Sequence, residues 1–123
     1  MSIQQIDESG WAAFFDVLNK ILVGKRAEIE VASLDLGDQV EAEWLPLIGV
    51  TYDHKDDLVE VALEGLDHMI RKPREIYVDH NVGDLVAIYI LDSDGAHQII
   101  RLKGPLALPA PDETVRRVAA LPT

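Results

Sequence analysis

The sequence predicts an α+β fold in which an N-terminal amphipathic helix packs on a mostly antiparallel sheet of about five to seven strands. Three observations lead there. Large apolar residues recur at helical spacing near the start, the period drops to two after Gly24, and turn-forming residues then separate short apolar runs as far as Lys103. A sheet built from such a meander is either open or curled toward a barrel.

The helix comes first. Trp11, Phe14, Phe15, Leu18 and Leu22 form one stripe, with Asp16, Asn19 and Lys20 between them. Ser9 is a candidate cap, and Gly24 supplies the left-handed residue that ends the helix, so it is placed at about 9–23. Beyond Gly24, Glu28, Ile29, Glu30 and Val31 alternate as a strand with one wet face should. Residues 35–43 carry Gly37 and several carboxylates and read as an exposed loop, after which Trp44, Leu45 and Pro46 return to the core.

Residues 47–52 and 58–64 are β-like and flank the polar run 53–57, so they form an antiparallel hairpin. A short strand is predicted at 68–70. Pro73 then forces an extended kink at Lys72, and a further strand covers 75–79. Residues 85–91 are apolar on both faces, which predicts the sheet centre, covered on one side by the helix. The turn at 92–95 leads into the last strand, 97–103, and the sheet therefore spans about 27–103. Gly104 and the prolines at 105, 109 and 111 end it, and Asp112 can cap a short helix at 112–120 with Val115, Val118 and Ala119 on one side. With no internal repeat and no linker, residues 1–123 are expected to form a single domain.

Charge and composition narrow the function classes. Eleven basic residues against 22 acidic ones give a net charge of −11, which opposes phosphate backbones and anionic lipid and argues against nucleic-acid and membrane partners. The chain contains no cysteine, so disulfides, thiolate nucleophiles and cysteine-based metal centres are excluded. Residues 2–8 lack the basic start and apolar run of a secretory signal, and the expected location is the cytoplasm.

No dinucleotide fingerprint, P-loop, nucleophile elbow, metalloprotease helix or calcium loop occurs, so no cofactor and no metal is expected. Two polar groups remain. Residues 53–57, with Asp53, His54, Lys55, Asp56 and Asp57, suit a solvated hairpin turn better than a metal or acid/base site. Residues 67–75 gather His68, Arg71, Lys72 and Arg74 in an otherwise acidic protein. Arg71 and Arg74 have the geometry to hold a carboxylate or phosphate, although pairing with the protein's own carboxylates or protecting a sheet edge explains them as well.

A family likeness rests on residues 45–53, which read LPLIGVTYD, and on 65–76, which read GLDHMIRKPREI, supported by Trp11, Phe14 and Phe15, by Asp94 and Gly95, and by Gly104, Pro105 and Leu106. The sequence resembles a family of small bacterial proteins catalogued as a domain of unknown function. That resemblance implies no activity, cofactor or catalytic residue. The leading expectation is a small acidic, non-enzymatic binding or interaction domain whose partner is another protein or a second copy of itself. The alternative is a small enzyme or ligand-binding domain that gathers Asp53, Asp67, His68, Arg71 and Arg74 around an anionic small molecule. That alternative requires the five side chains to converge, and positions 68 and 71 of a regular strand face opposite ways.

Overall fold

The computed structural model describes residues 2–22, 24–34, 37–81 and 84–104. Eight strands form one antiparallel sheet: β1 (Ser2–Ile6), β2 (Arg26–Ser33), β3 (Gly37–Asp53), β4 (Leu58–Leu63), β5 (Leu66–Arg71), β6 (Pro73–Asn81), β7 (Asp84–Asp92) and β8 (His97–Lys103). Their order is β1-β6-β7-β8-β2-β3-β4-β5, so β1 and β5 are free edges and the sheet is not closed into a barrel. A 3-10 turn at Glu8–Gly10 leads into the single described helix, α1 (Trp11–Ile21).

The sheet nevertheless folds over on itself. Strands β8 and β5 stand four places apart, which in a flat sheet means roughly 19 Å at ~4.8 Å per strand. Yet His68 of β5 lies 2.8 Å from Gln98 of β8. The fold-over is made within β3, whose first half pairs with β2 and whose second half pairs with β4. Register slips put one extra residue into β3 between Ala42 and Leu45 and another between Val40 and Ala42, and Trp44 in the first of these adopts φ 53°. A bulky residue with positive φ is a strained corner. It is braced by the Lys103 ammonium, 5.5 Å from the Trp44 ring centre.

The concave side of this folded sheet holds the core. Trp11, Phe15, Leu18 and Leu22 of the helical segment are buried against Ile29, Val50, Val59, Val61, Ile70, Ile88 and Ile100. The predicted stripe is therefore the buried one, with Phe14 only partly covered. Burying four large side chains contributes more than the intrinsic propensity of an eleven-residue helix, which is marginal alone.

Several expectations are corrected. The strand number is eight rather than five to seven, because the N-terminal residues form β1 along β6 and the acidic stretch from Gly37 is strand rather than loop. Neither carried a burial signal: Ser2, Ile3, Gln4 and Gln5 are exposed, as are Asp38, Gln39, Val40 and Glu41. Residues 35 and 36 of that predicted loop lie outside the described residues. The helix begins two residues later than the Ser9 cap implied, since Asp7 caps the 3-10 turn by accepting from the Ser9 backbone N–H. Gly24 does adopt φ 87° after the helix.

The helix packs chiefly on β3, while residues 85–91, expected at the sheet centre beneath it, belong to β7, third from one edge of the sheet. Asn19 explains that placement: its Oδ1 accepts the Val50 N–H at 2.8 Å, on the margin of β3 that faces away from β4. A helix side chain thus satisfies part of an edge that another strand would otherwise have to cover. The predicted helix at 112–120 and the prolines at 105, 109 and 111 lie outside the described residues.

Candidate functional site

The 3-10 turn and the start of α1 face the β3–β4 hairpin and the start of β6. Two adjoining clefts occupy this seam. The larger, about 570 Å³, is lined by Asp7, Glu8, Ser9, Ala12, Tyr52 and His54. The smaller, about 330 Å³, is lined by Gln5, Ile6, Asp7, Glu8, Trp11 and Arg74. Asp7 and Glu8 form the wall between them.

Each lining group has a local reason for its position. Asp7 is held as a cap, its carboxylate accepting from both the backbone N–H and the hydroxyl of Ser9. Trp11 is fixed on its apolar side by the core and on its polar side by donating its indole N–H to the Ile6 carbonyl at 3.0 Å. Tyr52 meets the Trp11 ring edge-on at a centroid distance of 5.2 Å and donates its hydroxyl to Asp57 at 2.8 Å. Asp57 in turn holds φ 50°, and its carbonyl accepts the Lys72 N–H at 2.7 Å. The hairpin tip, the β5–β6 joint and the cleft are therefore one connected piece.

Burial, followed by the hydrogen bond to Asp57, pushes the Tyr52 pKa up to about 12, and the negative charges of Asp57, Glu8 and Asp53 add to the effect. A phenol in the unfolded chain titrates near ~10. The folded value is the higher one, so the stability gained by keeping Tyr52 neutral is complete below pH ~10 and is lost as pH rises toward 12. The urea midpoint is accordingly expected to fall across that window, and more gently in Tyr52→Phe than in the native chain. An equally steep fall in both would show that Tyr52 is not its source. Tyr77, raised by its hydrogen bond to Glu75, acts in the same direction.

The five residues singled out from the sequence are dispersed. Asp53 ends β3 exposed, its carboxylate accepting from the backbone N–H groups of Lys55 and Asp56 as an ordinary turn aspartate does. Asp67 and Arg71 are exposed on β5, whereas the half-buried His68 lies on the strand's other face. Arg74, exposed at the start of β6, is the one of the five that lines a described cleft. The two polar segments do meet through their backbones, since the Lys72 N–H donates to the Asp57 carbonyl, but their side chains do not gather around one pocket. Among the described residues, no group of three histidines and carboxylates could hold a metal ion.

His68 instead belongs to a buried chain of hydrogen bonds. Gln98 donates its amide to Asp92 Oδ2 at 3.1 Å, while Asp92 Oδ1 accepts the N–H groups of Asp94 and Ala96. The carboxylate only accepts, so Gln98 must turn its carbonyl to His68, and His68 must carry a hydrogen on Nε2. This chain ties edge strand β5 to the β7–β8 turn across the inside of the fold.

Sequence reasoning missed Asp7, Glu8, Tyr52 and Trp11 as cleft residues. A capping aspartate, a core tryptophan and a strand tyrosine each look structural alone, and only the fold brings positions 7–11 against 52–54. Elsewhere on the sheet, Arg101 pairs with Glu28 and Glu30 at 3.1 and 2.7 Å. The Arg101 guanidinium holds the Glu30 carboxyl below its usual range, and the neighbouring Asp38 is raised because it shares a hydrogen bond with Glu30.

Fold and site together define a small β-rich protein: an antiparallel sheet folded over one helix, with an acidic seam between its N-terminal turn and the β3–β4 hairpin. The model of a family of unknown function (DUF5335) matches residues 2–111, and the chain belongs to that family. An uncharacterized protein of Aquifex aeolicus (strain VF5) is 39% identical over 110 residues, covering 89% of this chain and 99% of that protein. No solved structure matches the chain. Among the described residues, no helix is long and apolar enough to cross a membrane.

Proposed function

We propose that this chain is a single-domain, non-catalytic binding module that receives a positively charged side chain of a partner protein in the seam between Glu8 and His54. The observation that carries this reading is the wall shared by both clefts. Asp7 and Glu8 line each of them, and neither is in an ion pair with a described residue. The half-buried Tyr52 adds aromatic surface, to which the alkyl stem and cation of arginine or lysine are complementary. A net charge of −11 would steer such a partner inward.

An anionic ligand finds less support. Arg74 contributes one cation to the smaller cleft, opposite two carboxylates. The remaining cations of that segment, Arg71 and Lys72, are exposed and line neither cleft.

The test is an NMR titration of the full chain with a short neutral peptide carrying a single arginine, alongside the same peptide carrying glutamate. The arginine peptide should shift the Tyr52 and His54 signals, bind more weakly as salt is raised, and lose about two- to five-fold in affinity to Glu8→Gln. Equal responses to both peptides, or perturbations confined to other surfaces, would overturn the reading.

A further inference from the structure

We infer that β5 is an interface strand, through which two copies of this chain pair antiparallel about a twofold axis at Met69 and join their sheets edge to edge. β5 is a free edge of the sheet, and Asp67, Met69 and Arg71 are its exposed residues. Its main-chain groups are placed to take a further strand. Glu64 and Gly65 form the turn between β4 and β5, so Leu63 and Leu66 close the hairpin as a hydrogen-bonded pair. Every second residue beyond Leu66 then turns its N–H and C=O away from β4. The far end of the strand agrees: the Lys72 N–H donates to the Asp57 carbonyl at 2.7 Å, which points the Arg71 carbonyl of the same planar peptide outward. The N–H and C=O groups of Asp67, Met69 and Arg71 therefore line the free edge.

Side chains choose the partner and the register. Asp67 and Arg71 flank Met69 symmetrically, and all three project from the same face of β5. Within one chain the two charges stand ~13 Å apart along the strand and cannot reach each other. Neither is in an ion pair with a described residue. Antiparallel pairing centred on Met69 places Asp67 opposite the partner's Arg71 and Arg71 opposite the partner's Asp67, so both charges meet their opposites. The same register brings the outward main-chain groups of these residues face to face, and each facing pair exchanges N–H and C=O.

A twofold axis at Asp67 or at Arg71 would instead set like charges directly opposite each other, which is destabilising. Charges on an edge strand ordinarily deter pairing, but this order of charges deters the neighbouring registers and admits one. Met69, 41% exposed, meets its own symmetry mate at the axis, as a self-complementary interface requires. The turn at Gly65 and Pro73, which lacks an N–H, bound the ladder on either side. An interface this short belongs to the weak, exchanging class. The inference is independent of the function proposed for the seam, because no β5 residue lines either cleft.

Sedimentation equilibrium of the full chain, taken up to about 1 mM, tests it. Wild type is expected to show a reversible monomer–dimer equilibrium that weakens as salt is raised. Asp67→Arg brings arginines face to face and Arg71→Asp brings aspartates face to face, so each alone should weaken dimerisation about ten-fold or more. An equimolar mixture of the two variants should recover it, since every facing pair is then again of opposite charge. That recovery also shows that both variants are folded. A wild-type chain that stays monomeric throughout would overturn the proposal. So would a dimer that neither substitution weakens, or a mixture that associates no better than its components.

Discussion

Trp11→Ala is expected to cost ~3–5 kcal/mol of stability, the range for deleting a buried aromatic side chain. Set against the roughly 5–15 kcal/mol that holds a typical domain together, such a loss brings the chain close to unfolding at ordinary temperature. Trp11 is 1% exposed, and it joins three parts of the molecule. It opens the helix, its indole N–H satisfies the Ile6 carbonyl at the end of β1, and its ring abuts Tyr52 on β3. Trp11→Phe should keep much of the apolar contact and lose mainly the hydrogen bond, a smaller effect of about 1–3 kcal/mol. Urea denaturation of the two variants separates the contributions. A shift below ~1 kcal/mol in Trp11→Ala would mean that the helix is not anchored through this residue.

Asp92→Ala is the second large effect. Asp92 is 7% exposed and accepts from three donors, so its removal strands the Ala96 N–H and the Gln98 amide in a buried setting. At ~1–3 kcal/mol for each buried donor left without a partner, a loss of about 2–6 kcal/mol is expected. Asp92→Asn is the sharper probe because it preserves shape. Its new amide group, placed where Oδ2 stood, would force Gln98 to turn over and present its own NH₂ to His68. The imidazole could then meet it only with the lone pair of Nε2, which moves the ring hydrogen to Nδ1. Nitrogen-15 shifts of His68 read the tautomer directly. An unchanged Nε2–H tautomer in Asp92→Asn would show that the three side chains do not act as one relay.

Much of the fold was legible because burial leaves a periodic mark. The stripe Trp11, Phe15, Leu18 and Leu22 and the alternation Val59, Val61 and Leu63 are all buried, and each was visible as spacing alone. Segments without buried residues left no such mark. Strand β1 and the first part of β3 are exposed over most of their length, and they were invisible although each pairs with a neighbouring strand. Sheet order was also hidden. Residues 85–91 are apolar on both faces, which suggests a centre, but the fold-over at Trp44 gives a strand outside the central pair a covered inner face as well.

The candidate site was less legible still. Polar residues adjacent in sequence invited grouping, yet alternation sends Arg71 and His68 to opposite faces of β5. The seam instead assembles from Asp7 and Glu8 at one end of the chain and Tyr52 and His54 near its middle. No local spacing encodes that meeting. It follows from the pairing of β1 with β6 and from the packing of α1 on β3.

The strand order also sets a timetable. Strands β3, β4 and β5 are joined by short turns and pair with their immediate neighbours, so this meander can form as soon as it is synthesised. The earliest-made strand has no such option: Ile6 must wait for Ile76. The amino-terminal segment, though first from the ribosome, is thus among the last parts to be seated. Until then Trp11 has no β1–β6 pair beside it and the acidic seam does not exist, which makes completion of that seam a report that the whole chain has folded.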